Sequence, residues 1–200
     1  STALGRAPAG TSAQAEDMQS GDLIYMTKTA GLEGTGIIAC DLAEELQGVL
    51  TAAELAHAQA LLDRVSVVRE GVIAGRIGTH GMHDITEGGV LGAIWEMCRI
   101  CGRGAKLYER EICVEEVTKK ICAHYGMDVL RLISSGAMII VVEREKAPQL
   151  EREMRKADVL CACIGEVTGA GDAILLEDAH GETRAITPPV SDEIYKAVRR

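Results

Sequence analysis

The 200-residue sequence predicts a mixed α/β domain, and three observations carry that prediction. Apolar residues make up 47% of the chain, enough for a full core, yet with one Trp, four Tyr and no Phe that core must be built from aliphatic side chains, Met and Cys. Such a composition favours helices layered on a sheet over a sandwich. Short strand-like runs alternate with stretches of helical period and close in a hairpin, the pattern of a mixed sheet with helices packed against it. Residues 137–142 (Ala-Met-Ile-Ile-Val-Val) form a continuous apolar run, as a central strand buried on both faces requires.

Taken in order, residues 1–20 carry Gly5, Pro8, Gly10 and Ser12 without periodicity and read as a linker or cut end, leaving 21–200 as the domain. Residues 23–28 predict a strand. The turn Gly31-Leu-Glu-Gly-Thr-Gly36 has its glycines in the reverse order of the dinucleotide fingerprint, so close packing is expected there and not a nucleotide. Ile38, Leu42, Leu46 and Val49 then keep helical spacing. Thr51 and Glu54 form a capping box for a second helix lined by Leu55, Ala58, Leu62 and Val65. Residues 66–78 fit strands around Gly71 or a helix, and Val68 and Val72 at i, i+4 favour the helix. Beyond the central stretch treated below, strands are predicted at 105–108, 137–142, 160–167, 172–177 and 183–186, with 168–171 a turn and 178–182 a hairpin. Helices are predicted at 115–125, stopped by Gly126, at 147–157, and after Ser191, a candidate N-cap for Tyr195 to Val198.

A net charge of −9 argues against nucleic acid or an anionic membrane as partner. No apolar run reaches the roughly 18 residues that span a bilayer, and no signal peptide precedes the first strand, so a cytoplasmic protein is expected. Seven cysteines, an odd number set mostly within apolar patterns, read as reduced thiols.

The stretch from Gly81 to Cys98 joins strand, polar loop and apolar helix. Residues 82–85 read as a short extended segment, Thr86 as an N-cap, and Glu87 as a first-turn carboxylate suited to the helix dipole. Gly88 and Gly89 each cost a helix roughly 1 kcal/mol, so something must approach the backbone closely there. Two readings stand side by side: an anion-binding corner of the kind used for phosphate, or tight packing of the helix on its surroundings. From Val90 to Cys101 the apolar surface is wider than an amphipathic stripe and must be buried on more than one side. His80-x-x-His83 and Cys98-x-x-Cys101 have the spacing of zinc ligands, but the cysteines fall on an apolar helix face, so no metal site is expected.

The segment His83-Asp-Ile-Thr-Glu-Gly-Gly-Val-Leu-Gly92, with Leu132-Ile-Ser-Ser-Gly-Ala-Met138 and Ile164-Gly-Glu-Val167 following in order, resembles the C-terminal domain of the aminoimidazole ribonucleotide (AIR) synthase superfamily. That superfamily includes thiamine monophosphate kinase and the hydrogenase maturation factor HypE. The resemblance covers nearly the whole chain from Gly21 and implies a three-layer α/β/α domain with a mixed sheet. It also implies an N-terminal domain, absent from this chain, that holds most of the ATP and Mg2+ and makes a homodimer of the full-length protein. By position it places His83, Asp84, Thr86, Glu87, Gly88 and Gly89 at a cleft facing nucleotide or a small phosphorylated substrate, with Ser134, Ser135 and Gly136 lining it from a neighbouring strand. Asp84 is then the candidate for orienting a substrate group or metal-bound water, and His83 a proton donor or a hydrogen-bonding prop. Two departures separate the chain from HypE itself: it ends Ala197-Val-Arg-Arg200 without a terminal cysteine, and Glu87 stands where HypE usually has arginine. The chemistry implied is ATP-dependent phosphorylation of an amide, carbamoyl or phosphate oxygen, with this piece alone inactive. The competing readings are a non-catalytic nucleotide- or partner-binding module and a zinc-binding domain.

Overall fold

The computed structural model describes residues 14–198. The strands are β1 (Leu23–Thr27), β2 (Gly81–Asp84), β3 (Arg103–Tyr108), β4 (Met138–Val142), β5 (Cys161–Ala170), β6 (Ile174–Glu177) and β7 (Thr183–Ala185). The helices are α1 (Leu32–Asp41), α2 (Ala52–Ala60), α3 (Val68–Ile77), α4 (Gly89–Cys101), α5 (Glu116–Tyr125), α6 (Ala147–Lys156) and α7 (Tyr195–Val198). All seven strands join one mixed sheet in the order β2-β4-β1-β5-β3-β6-β7. Among the described strands, β3 and β6 pair in parallel and the other pairs are antiparallel.

The pleat of β4 shows how the apolar run is used. Ile139 and Val141 face the core beneath α4, whereas Met138, Ile140 and Val142 face the one beneath α3 and α6. Both faces are covered, giving helix, sheet, helix. A third cluster joins α1, α2 and α5 through Leu32, Ile38, Ala58, Ile121 and Tyr125. Helix α4 is the broad apolar helix that its sequence requires, with Val90, Leu91, Ile94 and Met97 fully buried. Tyr25 shows the same demand on a polar side chain: buried in β1, its hydroxyl donates to Glu151 Oε1 of α6 at 2.6 Å. Burial and that hydrogen bond push its pKa upward.

Several boundaries differ from the sequence expectation. Helix α1 stops at Asp41, and the chain continues in turns from which Leu46 and Leu50 still reach the third cluster. Strand β5 runs through 168–170 because Ala170 pairs with Arg103. Residues 1–13 of the expected linker lie outside the described residues, but Met18 is wholly buried against the α4 cluster, so the ordered fold starts before Gly21. The capping box at Thr51 and Glu54 and the helix within 66–78 form as expected. Close packing also accounts for the turn glycines: a Cβ on Gly34 would lie 2.6 Å from Leu132, and one on Gly36 2.6 Å from Leu62.

Candidate functional site

The polar residues singled out by the sequence gather at the end of the sheet where β2 finishes and β4 begins, Asp84 opposite Met138. Met82 packs toward α3 and α6, so His83, one residue on, turns to the opposite face. There its Nε2 lies 3.3 Å from Glu96 Oε2 of α4, and its Nδ1 donates to the backbone carbonyl of Asp84. Both ring nitrogens are engaged, so His83 brackets strand to helix. Asp84 stands on the edge strand with its side chain 58% exposed, and its Oδ1 lies 3.8 Å from His83 Nδ1. Thr86 is half-buried and Glu87 exposed beside it.

The start of α4 departs from expectation. Thr86 does not cap the helix; its carbonyl accepts from Gly89 N–H, and Gly88, in the left-handed region at φ 80°, is the N-cap. The anion at this corner is the protein's own. Asp192, only 6% exposed, accepts Gly88 N–H at 2.8 Å through Oδ2, and Ile194 N–H at 2.9 Å and Ile133 N–H at 3.2 Å through Oδ1. This buried carboxylate accepts one N–H at the helix start and two from segments packed beside it, and so supplies negative charge where phosphate was the candidate. The glycines have a packing reason as well: Gly89, at φ 62°, would place a Cβ 2.6 Å from Leu130 O, and Gly88 one 2.9 Å from Pro189.

The lead-in to β4 divides similarly. Ser134 is fully buried, accepting from Gly31 N–H at 2.6 Å and donating to Leu132 O at 2.7 Å, so it ties the start of α1 to this loop. Gly136, at φ 102°, presses against Arg64 and Val65, where a Cβ would lie 2.7 Å from Val65 Cα. Ser135 alone is partly accessible. The nine candidates thus split: Asp84, Thr86, Glu87 and Ser135 keep accessible polar groups, while His83, Gly88, Gly89, Ser134 and Gly136 are engaged in holding the loops.

Next to this edge, where β1 ends and β5 begins, two neighbouring cavities of about 500 and 290 Å3 share Arg64, Asp158, Val159 and Leu160. The larger is also lined by Glu151, Arg155 and Cys161. Burial, with Glu151 nearby, pushes the Cys161 thiol up to about 12, so it stays protonated at neutral pH. The paired motifs considered for zinc do not assemble a site. His80 meets Asp22 at 2.8 Å, His83 meets Glu96, and Cys98 is a buried thiol pushed up to about 12 by burial. Among the described residues no three His, Cys, Asp or Glu side chains converge.

Asp192 is the residue that the sequence reading missed. The local sequence points to its neighbour Ser191 as a cap, and nothing near Asp192 in the sequence shows that its carboxylate reaches a helix start 104 positions away.

A mixed sheet covered on both faces, with accessible hydroxyls and a carboxylate gathered at one strand end, defines a layered α/β domain with a polar edge. The sequence matches the family of AIR synthase related proteins, C-terminal domain, over residues 19–176, and the chain belongs to that family. It is 25% identical to carbamoyl dehydratase HypE of Escherichia coli over 193 residues, which is 96% of this chain and 54% of that protein. The crystal structure of E. coli HypE superposes with a TM-score of 0.76 at 24% identity, covering 92% of this chain and 55% of that one. A HypE crystallised in complex with ATP superposes with a TM-score of 0.69 at 21% identity, over 90% of this chain and 54% of that one. The chain therefore spans about half the length of the relatives it matches.

Proposed function

We propose that this chain is the substrate-side domain of an ATP-dependent enzyme related to HypE, one that activates an amide, carbamoyl or phosphate oxygen by phosphoryl transfer. The observation that carries the reading is Asp84: a carboxylate 58% exposed at a strand end, beside Thr86 and Ser135, inside the segment that matches the family. Phosphoryl transfer asks mainly for positioning and charge neutralisation; an exposed carboxylate next to hydroxyl donors serves the first, by orienting a substrate group or a metal-bound water, and leaves charge neutralisation to a cation. Asp84 orients a substrate amide or a metal-bound water, Thr86 and Ser135 hydrogen-bond substrate oxygens, and His83 holds the strand end against α4.

ATP supplies the phosphoryl group, and Mg2+ neutralises its charge. With no three candidate ligands converging among the described residues, Asp84 is the carboxylate that this chain offers to such a group, and the other ligands come from a second domain. The full-length protein is read as a cytoplasmic homodimer. The test is ATP turnover by the full-length protein carrying Asp84→Asn or Ser135→Ala. Asp84→Asn is expected to lower turnover by about 100-fold with unchanged thermal stability, since loss of one positioned charge or donor typically has an effect of that order. Unchanged turnover in both variants would refute the assignment.

One observation favours a second reading, a non-catalytic nucleotide- or partner-binding module: at the α4 start Gly88 N–H is already taken by Asp192 and Gly89 N–H by Thr86 O. Calorimetry of residues 1–200 with ATP and Mg2+ separates the two. Binding without hydrolysis is expected of this chain by itself, and hydrolysis would contradict the placement of the metal site elsewhere.

A further inference from the structure

Lys28 has no place in the site as read from the sequence, yet three segments of the chain converge on its ammonium. It follows β1 directly and holds a left-handed backbone at φ 54°, a conformation that side-chain-bearing residues take only where the surroundings demand it. Its side chain is 12% exposed, and Nζ pairs with Glu70 Oε1 of α3 at 2.6 Å. Glu70 itself is 1% exposed. The same ammonium donates to Gly136 O at 2.6 Å and Ser66 O at 2.7 Å, with Arg64 O at 3.1 Å. Lys28 is among the residues that line the 290 Å3 cavity.

These contacts form a chain that leads to the proposed site. Gly136 is held from below by Lys28 and from the side by Arg64 and Val65. The next residue, Ala137, receives N–H from Ile85, and Ile85 directly follows Asp84. Fixing Gly136 therefore fixes the end of β2 through one intervening hydrogen bond.

We propose that Lys28 is a positioning residue: its ammonium, paired with Glu70, pins the 64–66 segment and the lead-in to β4 in one arrangement and thereby sets where Asp84 and Ser135 stand. The proposal rests on the reading of Asp84 and Ser135 as ligand-facing. Its test does not, because the position of the loop is read without any ligand.

A buried ion pair separates stability from position. Removing one partner leaves a buried charge, whereas replacing both with apolar residues of similar volume is often neutral for stability. Lys28→Met alone is expected to lower Tm by roughly 10 °C, from the usual penalty for an unpaired buried charge in a domain of this size. The double variant Lys28→Met with Glu70→Met should return close to the wild-type Tm. Methionine at 28 meets the same left-handed backbone as lysine, so that strain is unchanged, but it cannot donate to Gly136 O or Ser66 O.

Amide hydrogen exchange is then compared at Ile85 and Ala137, beside the pinned loop, and at Leu107, in the β3–β5 ladder away from it. Exchange at Ile85 and Ala137 is expected to quicken at least 10-fold in the double variant with Leu107 unchanged. Glu70→Gln, which keeps the ammonium and its carbonyl contacts, should leave Ile85 and Ala137 protected. Wild-type protection at Ile85 and Ala137 in the double variant overturns the proposal. So does an equal loss at all three amides, which would make Lys28 a general stabiliser, and so does loss of protection in Glu70→Gln.

Discussion

Replacing Asp192 with alanine tests the clearest departure of the structure from the sequence expectation. The carboxylate is 6% exposed and serves Gly88, Ile133 and Ile194 N–H at 2.8, 3.2 and 2.9 Å. A hydrogen bond to a charged acceptor contributes about 1.5–3 kcal/mol, and loss of a helix cap about 1 kcal/mol. These terms share one side chain and do not add in full. Partial re-solvation of Ile194 N–H, on a half-buried residue, lowers the total further. The expected destabilisation by Asp192→Ala is about 3 kcal/mol. Asp192→Asn should lie near half that, because its amide oxygen still serves two of the N–H groups while the NH2 faces the third. Urea unfolding followed by far-UV circular dichroism measures both, with the slope of the transition checked for constancy. A second reading comes from inorganic phosphate. If the corner is an anion seat occupied by Asp192, phosphate should raise the Tm of Asp192→Ala more than that of the wild type. A loss below about 0.5 kcal/mol in Asp192→Ala, the level of an ordinary surface substitution, would refute the account of the α4 start.

Three more outcomes follow. Gly89→Ala should cost about 3 kcal/mol by urea unfolding, since it adds a Cβ 2.6 Å from Leu130 O at φ 62°; Gly102→Ala, at φ 68° with nothing within 4 Å, should cost only about 1 kcal/mol. Stability should fall in alkali. Cys98, Cys122 and Cys161 have folded pKa values raised from 9.0 to about 12 by burial, so the folded state keeps protons that the unfolded chain loses; their contribution is complete below pH 9 and declines from there toward pH 12, as thermal melts across that range can show. At pH 8 a thiol reagent should modify exposed Cys40 first, leaving Cys98 and Cys122 unreacted until the protein unfolds, a sequence that peptide mapping resolves.

Local patterns carried far in this chain because they report on local physics. The Thr51–Glu54 box, the left-handed glycine that stops α5, the two-faced burial of 138–142 and the broad apolar surface of α4 each follow from residues within a few positions of one another. The grouping of Asp84 with Ser135 was legible too, through the order of short motifs and the family that they resemble, and the sheet places both segments at one end. What the tertiary structure alone decided is which polar groups remain available there. Ser134 is used up by Gly31, 103 positions earlier, and Gly88 N–H at the helix start by Asp192, 104 positions later. Lys28 gathers carbonyls from two segments that are remote in sequence, 64–66 and the lead-in to β4. A residue's type shows that it needs a hydrogen-bond partner, but only the packed chain determines whether that partner is a ligand or a distant part of the same molecule.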